Sequence, residues 1–161
     1  MARKLLVSMS VALLLGALAF AGKAPGGSTV MSAPAVVKSA FNKTLKKSIV
    51  VDGKGRTLYL FTEDTAGKAT CAAADPQCPK LWPAFATVGK PLAGKGIKAS
   101  LLGTTKGAGG VQQVTYNRHP LYYFAGIYPG AGDRKPGDVK GQAFYGVWYV
   151  LSPKGTTIKT Q

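Results

Sequence analysis

The stretch Thr57-Leu58-Tyr59-Leu60-Phe61, which runs on to Asp64, returns sixty-three residues later as Pro120-Leu121-Tyr122-Tyr123-Phe124. Each copy comes after an apolar run and a turn: Ile49-Val50-Val51-Asp52-Gly53-Lys54-Gly55 before the first, Val114-Thr115-Tyr116-Asn117 before the second. Self-similarity at a fixed offset marks a repeated supersecondary unit, so it governs the architecture. In an extended chain Tyr59 and Phe61 share one face and Leu58 and Leu60 the other. Tyr122 and Phe124 likewise oppose Leu121 and Tyr123. Both copies are therefore apolar on both sides, and a strand of that kind is covered on both faces. The expected fold is all-β, with two tandem β-repeats packed about a pseudo-two-fold axis as a sandwich or small barrel. Repeat one spans about 45–92 and repeat two about 111–159.

Outward from the repeat, short alternating or doubly apolar runs are bounded by Gly, Pro, Asn and Asp, and helical periodicity is nearly absent. Strands are expected over 36–41, 48–51, 57–62, 111–116, 121–125 and 147–151, with weaker ones near 100–102 and 156–159. Turns are expected at Asp52-Gly53-Lys54-Gly55, Asn117-Arg118 and Ser152-Pro153-Lys154-Gly155, where Gly, Asn and Pro supply the backbone angles that turns require. Segments 63–80 and 126–143 are polar or Gly-rich and read as equivalent loops. The Gly-rich stretch 103–110 lacks the Gly-Lys-Ser/Thr ending of a phosphate loop, and reads as a flexible connection between the halves.

Residues 1–21 read as a signal peptide, with Arg3 and Lys4 ahead of an apolar run to Phe20 and an Ala19-Phe20-Ala21 cleavage site. The run of about 16 residues is short for a membrane span of about 20. Residues 22–34, rich in Gly, Ser, Pro and Ala, read as a flexible leader, and 35–161 as the folded domain. An exported protein, periplasmic or extracellular, is the expectation. No transmembrane segment is expected after cleavage.

Cys71 and Cys78 are the only cysteines. In an oxidising compartment they read as a structural disulfide, which would stabilise the fold by roughly 2.5 kcal/mol for so short a loop. A redox or metal pair is the alternative, although the spacing is neither C-x-x-C nor a haem-attachment motif. The chain carries 21 Lys and Arg against six Asp and Glu. Loss of Arg3 and Lys4 with the signal would leave 19 against six, a net charge of +13. Such a field attracts polyanions, and outside the cytoplasm an anionic envelope component, a lipid headgroup or polysaccharide, is the natural partner. Solubility is the plainer explanation of the same charge. Lys far outnumbers Arg, which suits diffuse charge better than bidentate phosphate recognition, and no specific nucleic-acid partner is expected.

These residues resemble the bacterial secreted-repeat lipoproteins, a family of uncharacterised function with a Tyr-x-aromatic-x-x-Asp signature. Residues 51–61 with Asp64 fit the first copy, and Cys71 and Cys78 with Trp82-Pro83 fit the segment after it. Gln113 to Asn117 with Pro120 to Phe124 fit the second copy, and Gly141-Gln142, Trp148-Tyr149-Val150 and Ser152-Pro153-Lys154-Gly155 fit its end. Two departures stand out. The second copy has Ile127 where the signature has Asp, so Asp64 alone keeps the acidic position. Ala21-Gly22 stands where lipoprotein relatives carry Cys, which implies a released rather than a lipid-anchored member.

The motif residues singled out are Tyr59, Phe61, Asp64, Tyr122 and Phe124, with Cys71 and Cys78 as the disulfide. Asp64 reads as a turn carboxylate accepting backbone N–H bonds. His119, the only histidine, lies beside a turn and has no nucleophile elbow to serve. One His and two bridged Cys fall short of a zinc ligand set. No catalytic residue, metal or cofactor is expected. The tyrosines read mainly as core, with Tyr128 and Tyr145 exposed. The expected function is a non-enzymatic envelope module that binds or supports through a basic surface. The alternatives are a small-molecule or redox-associated site built from the paired tyrosines between the repeats and, further off, a hydrolase using Asp64 or His119.

Overall fold

The computed structural model describes residues 33–65 and 67–160. The signal peptide, residues 1–21, and all of the leader except 33 and 34 lie outside the described residues. The fold is mainly β. Strand β1 (Val36–Asn42) pairs antiparallel with β2 (Lys47–Asp52) and parallel with β4 (Leu92–Ala93). Strand β3 (Tyr59–Phe61) pairs antiparallel with β8 (Trp148–Val150). A third sheet has the order β5 (Leu102–Lys106), β6 (Gln112–Tyr116), β7 (His119–Pro120). Among the described residues these three small sheets do not close into a barrel.

The two copies of the phrase meet each other. Tyr59 and Tyr122 form an antiparallel bridge in which each N–H donates to the other's carbonyl at 2.9 Å. Tyr122 also bridges Ala84, and Tyr123 N–H donates to Pro83 O. The expected strand over 121–125 is reduced to these single bridges, because its outer partner contains Pro83, which has no N–H for a ladder. Both faces of the doubled phrase are covered. Tyr59, Phe61, Tyr122 and Phe124 belong to one buried cluster, with Trp82 and Trp148. Leu58, Leu60 and Leu121 belong to a second, with Val37, Val50, Phe85, Val114 and Tyr116.

Two segments differ from their expectation. Residues 63–80 are not all loop: α1 (Cys71–Ala74) and α2 (Cys78–Leu81) are single helical turns. Ala72 to Ala74 are strong helix formers and Pro79 sits in the first turn of α2, where its missing N–H costs nothing. Four residues are too few to show helical periodicity. Nor is 103–110 a flexible connection. Gly103 to Lys106 lie in β5, which pairs with β6 through five residues, and Thr104 and Thr105 supply its β-branched side chains. The segment near 100–102 begins instead as a 3-10 turn, Ala99–Leu101, and near 156–159 a lone bridge joins Leu151 to Thr157. The Asn117-Arg118 turn between β6 and β7 has φ of 49° and 66°, the left-handed pair of a tight hairpin.

Candidate functional site

The aromatic cluster is built twice over from the same contacts. Trp82 and Trp148 stack face to face, 3.8 Å apart and 2° from parallel. Tyr59 meets Trp82 edge-on at 5.4 Å, and Tyr122 meets Trp148 edge-on at 5.1 Å. Phe61 stacks on Trp148 at 4.4 Å, while Phe124 lies against Trp82 at 4.6 Å. Each motif aromatic thus has a counterpart sixty-three residues on, and each Trp a counterpart sixty-six residues on.

The hydroxyls complete the arrangement crosswise. Tyr122 Oη donates to Asp64 Oδ2 at 3.0 Å, and Tyr59 Oη donates to Asp133 Oδ2 at 2.6 Å. Asp133 therefore supplies the acid that the expected position, Ile127, lacks; Ile127 is exposed. The reading that Asp64 alone keeps the acidic role is corrected. The acid was missed because the loop after the second copy is longer, moving Asp133 nine residues past Phe124 where Asp64 is three past Phe61. The loop offers two Gly-Asp pairs, Gly132-Asp133 and Gly137-Asp138, and the sequence does not choose between them.

Each carboxylate also ties down its own loop. Asp64 Oδ1 accepts Thr70 N–H at 2.7 Å and Thr70 Oγ1–H at 2.9 Å. Asp133 Oδ1 accepts Lys140 N–H at 2.9 Å. Burial raises both carboxyls above the ordinary Asp value, and their hydrogen bonds pull them partly back. Burial, then the neighbouring carboxylate, raises the Tyr59 and Tyr122 phenols well above the usual tyrosine value. His119 lies near Asp64, and burial lowers its pKa against the pull of that charge.

Tyr59 is fully buried and Tyr122 is 2 % exposed. The cavity beside Tyr122 has a volume of about 10 Å³, room for no more than a water. That cavity leaves no room for a small molecule beside Tyr122. Cys71 and Cys78 form a disulfide between α1 and α2, and both are buried. Among the described residues no group of three or more His, Cys, Asp and Glu is placed to hold a metal ion. Tyr128 and Tyr145 are exposed.

A third polar cluster was not anticipated from the sequence. Asp52 Oδ2 accepts Arg56 Nε–H at 2.8 Å and the Tyr123 hydroxyl at 3.0 Å, and the Arg56 guanidinium carbon lies 4.1 Å from the centre of the Tyr123 ring. It joins the first turn to the second copy of the phrase.

An open concavity lies elsewhere. A groove of about 690 Å³ runs over one face of β1 and β2. Register places Lys38 opposite Val51 and Ala40 opposite Ile49, so these four side chains share that face. The second wall is the 135–138 loop, held to the sheet by Asn42 Nδ2–H donating to Gly137 O at 3.0 Å. Lys38, Lys43, Lys54 and Lys135 line the groove. Its one acid, Asp138, spends Oδ2 on the backbone N–H groups of Arg134 and Lys135, which hold its carboxyl below the ordinary value. Among the described residues none of the four lysines makes a salt bridge. Phe41, 65 % exposed, alternates to the opposite face of β1 from Lys38 and Ala40.

Together these features describe a mainly-β module with a basic groove at one side and a doubled aromatic centre, of which Phe61, Trp82 and Trp148 line a cavity of about 190 Å³. The family model for a secreted repeat of unknown function matches residues 42–86 and 103–152, more than half of the chain, and the protein belongs to that family. No match was found among curated proteins or among solved structures. The family description fits an exported protein. Among the described residues no helix is long and apolar enough to cross a membrane.

Proposed function

We propose that this protein is a non-enzymatic exported module whose two β-repeats, packed about a pseudo-two-fold axis, present a basic groove to an anionic component of the cell envelope. The observation that carries the reading is the groove over β1 and β2, which Lys38, Lys43, Lys54 and Lys135 line. Four ammonium groups stand against the single carboxylate of Asp138, so the net charge of the lining is positive. The doubled aromatic centre serves as the frame. Its polar atoms are spent on one another, and its rings are packed face to face and edge to face. Absence of a Cys near the expected cleavage point supports a released form, periplasmic or extracellular.

Salt-titrated binding tests this. The exported form is mixed with vesicles containing phosphatidylglycerol, with neutral phosphatidylcholine vesicles, and with dextran sulfate. Binding to the anionic materials alone, weakening as ionic strength rises, is the expected result. Replacing Lys38, Lys43, Lys54 and Lys135 by Gln should weaken it by about fivefold for each lysine lost. Equal binding to neutral vesicles, or none to any anion at low salt, overturns the reading.

A further inference from the structure

The six acids of the chain are unevenly engaged. Asp52, Asp64 and Asp133 spend both carboxylate oxygens on hydrogen bonds, and Asp138 stands in the basic groove. Glu63 and Asp75 remain, and both are exposed. Glu63 accepts from Thr70 Oγ1 with its backbone carbonyl, and among the described residues nothing donates to its carboxylate. Asp75 engages only Oδ1, which accepts Gln77 N–H at 2.8 Å. These two acids line one cavity of about 190 Å³, between the disulfide-linked turns α1 and α2 and the segment 144–148. No Lys or Arg among the described residues lines it.

Phe61, Trp82 and Trp148 close the inner side of this cavity and are buried. The surface open to a ligand is Leu81, Phe144 and Val147, each partly exposed, together with Tyr145. Tyr145 is 84 % exposed, holds a φ of 49°, and meets the Phe144 ring at 4.4 Å. A bulky side chain in the left-handed region is a backbone outlier, and such strain gathers at binding sites. Accessible aromatic and aliphatic walls beside unspent carboxylates are the chemistry that receives an organic cation.

We propose that this cavity binds a small soluble quaternary ammonium, a trimethylammonium group on a short neutral tail. Its methyl groups pack against Leu81, Phe144 and Val147, the Tyr145 ring supplies cation–π attraction, and Glu63 and Asp75 balance the charge. A primary ammonium fits less well, because its three N–H donors would lose water against walls that offer few acceptors. The volume is below the roughly 300 Å³ at which drug-sized sites begin, which matches a head group. A phosphate next to the ammonium would meet the two carboxylates, so a phosphocholine head is repelled. The basic residues elsewhere do not forbid the site, since exposed charges beyond about 8 Å are screened at physiological salt. The cavity is separate from the lysine groove, and the proposal does not depend on the function given to that groove.

The chain has two tryptophans, Trp82 and Trp148, and both line the cavity, so intrinsic emission reports binding without a label. Choline should titrate to saturation, with calorimetry as the second readout. Its neutral isostere dimethylbutanol should bind at least about tenfold more weakly, and ethanolamine should also bind more weakly. Glu63→Gln combined with Asp75→Asn should cost choline about fivefold in affinity at low salt. Tyr145→Gly should cost about threefold, while its urea midpoint holds or rises because Gly relieves the positive φ. Replacing the four groove lysines by Gln should not weaken choline, and phosphatidylcholine vesicles should not retain the protein. Circular dichroism confirms that each variant is folded.

Equal binding of dimethylbutanol would show an apolar cavity alone, and equal binding of ethanolamine a point charge alone. Retention by phosphatidylcholine vesicles that the paired acid variant abolishes would make the ligand a lipid head. Each of these results overturns the proposal, as does unchanged choline affinity in the acid and Tyr145 variants, or no response to choline by either readout. Binding to dextran sulfate is read separately and tests the groove.

Discussion

Removing the Tyr59 hydroxyl is the sharpest probe of the doubled centre. In Tyr59→Phe the ring and its contacts with Trp82 and Phe124 remain, while two hydrogen bonds go. One is the 2.6 Å bond donated to Asp133, and the other is the 3.2 Å bond accepted from the buried Gly141 N–H. A hydrogen bond to a charged group is worth about 1.5–3 kcal/mol, and an orphaned buried N–H costs about 1–3 kcal/mol. A loss of about 3 kcal/mol is expected. In Tyr122→Phe one bond goes, at 3.0 Å, and Asp64 keeps both Thr70 donors. That loss should be about 1.5 kcal/mol. Tyr59 and Tyr122 are bridge partners in one cluster, so the double variant should depart from additivity by about 0.5–3 kcal/mol. Urea unfolding with the disulfide intact measures this, as a lowered midpoint at unchanged slope. A Tyr59→Phe cost under about 1 kcal/mol, or a greater cost for Tyr122→Phe, would refute the assignment of these hydroxyls as structural bonds.

The same geometry sets three other outcomes. Burial raises the folded-state phenols of Tyr59, Tyr122 and Tyr123 above the ordinary tyrosine value near 10, so the folded state holds these protons while the unfolded chain releases them. Their contribution is therefore complete below pH 10 and declines as pH rises beyond it, by up to about 4 kcal/mol per pH unit for three protons. Unfolding midpoints between pH 9 and 11.5 would show it, and a flat profile would count against burial of the hydroxyls. Replacing both Cys71 and Cys78 by Ser should cost roughly 2.5 kcal/mol, read by denaturation against the oxidised parent. A Cβ at Gly141 would lie 2.7 Å from Trp82 Cη2 and 3.0 Å from Phe124 Cβ. Gly141→Ala should thus destabilise by about 1–3 kcal/mol, with a change in the near-ultraviolet signal of the stacked tryptophans.

Much of the local structure is legible in the residues. The Asp52 to Gly55 turn and Asn117 of the second hairpin are written in residue types that tolerate the required angles, and strands β1, β2 and β6 fall within a residue of the expected bounds. The double-sided apolar character of Leu58 to Phe61 correctly foretells cover on both faces, because strand alternation is a local rule. Helical turns α1 and α2 were hidden by their length, since four residues show no period. Strand β5 was hidden by Gly103 and by the glycines that follow it, and its pairing with β6 decides its state.

Position 133 shows the limit most clearly. A fixed offset from the first copy points to Ile127, and counting along the chain finds no acid there. Hydrogen bonding is indifferent to counting: a loop a few residues longer delivers Asp133 to the same relation with Tyr59 that Asp64 has with Tyr122. The groove is out of reach for a related reason. Its lysines come from β1, from two turns and from a loop some eighty to a hundred residues further on, and no spacing rule links them.

By itself, then, the sequence determined the repeat, the strand character of its arms, the turns, the disulfide and the excess of positive charge, all of which arise from residue type and near-neighbour order. Tertiary structure decided which tyrosine answers which aspartate, that the paired tyrosines are sealed in the core, and where four of the lysines gather about one groove. Those outcomes depend on distances between segments far apart in the chain, and packing alone sets them.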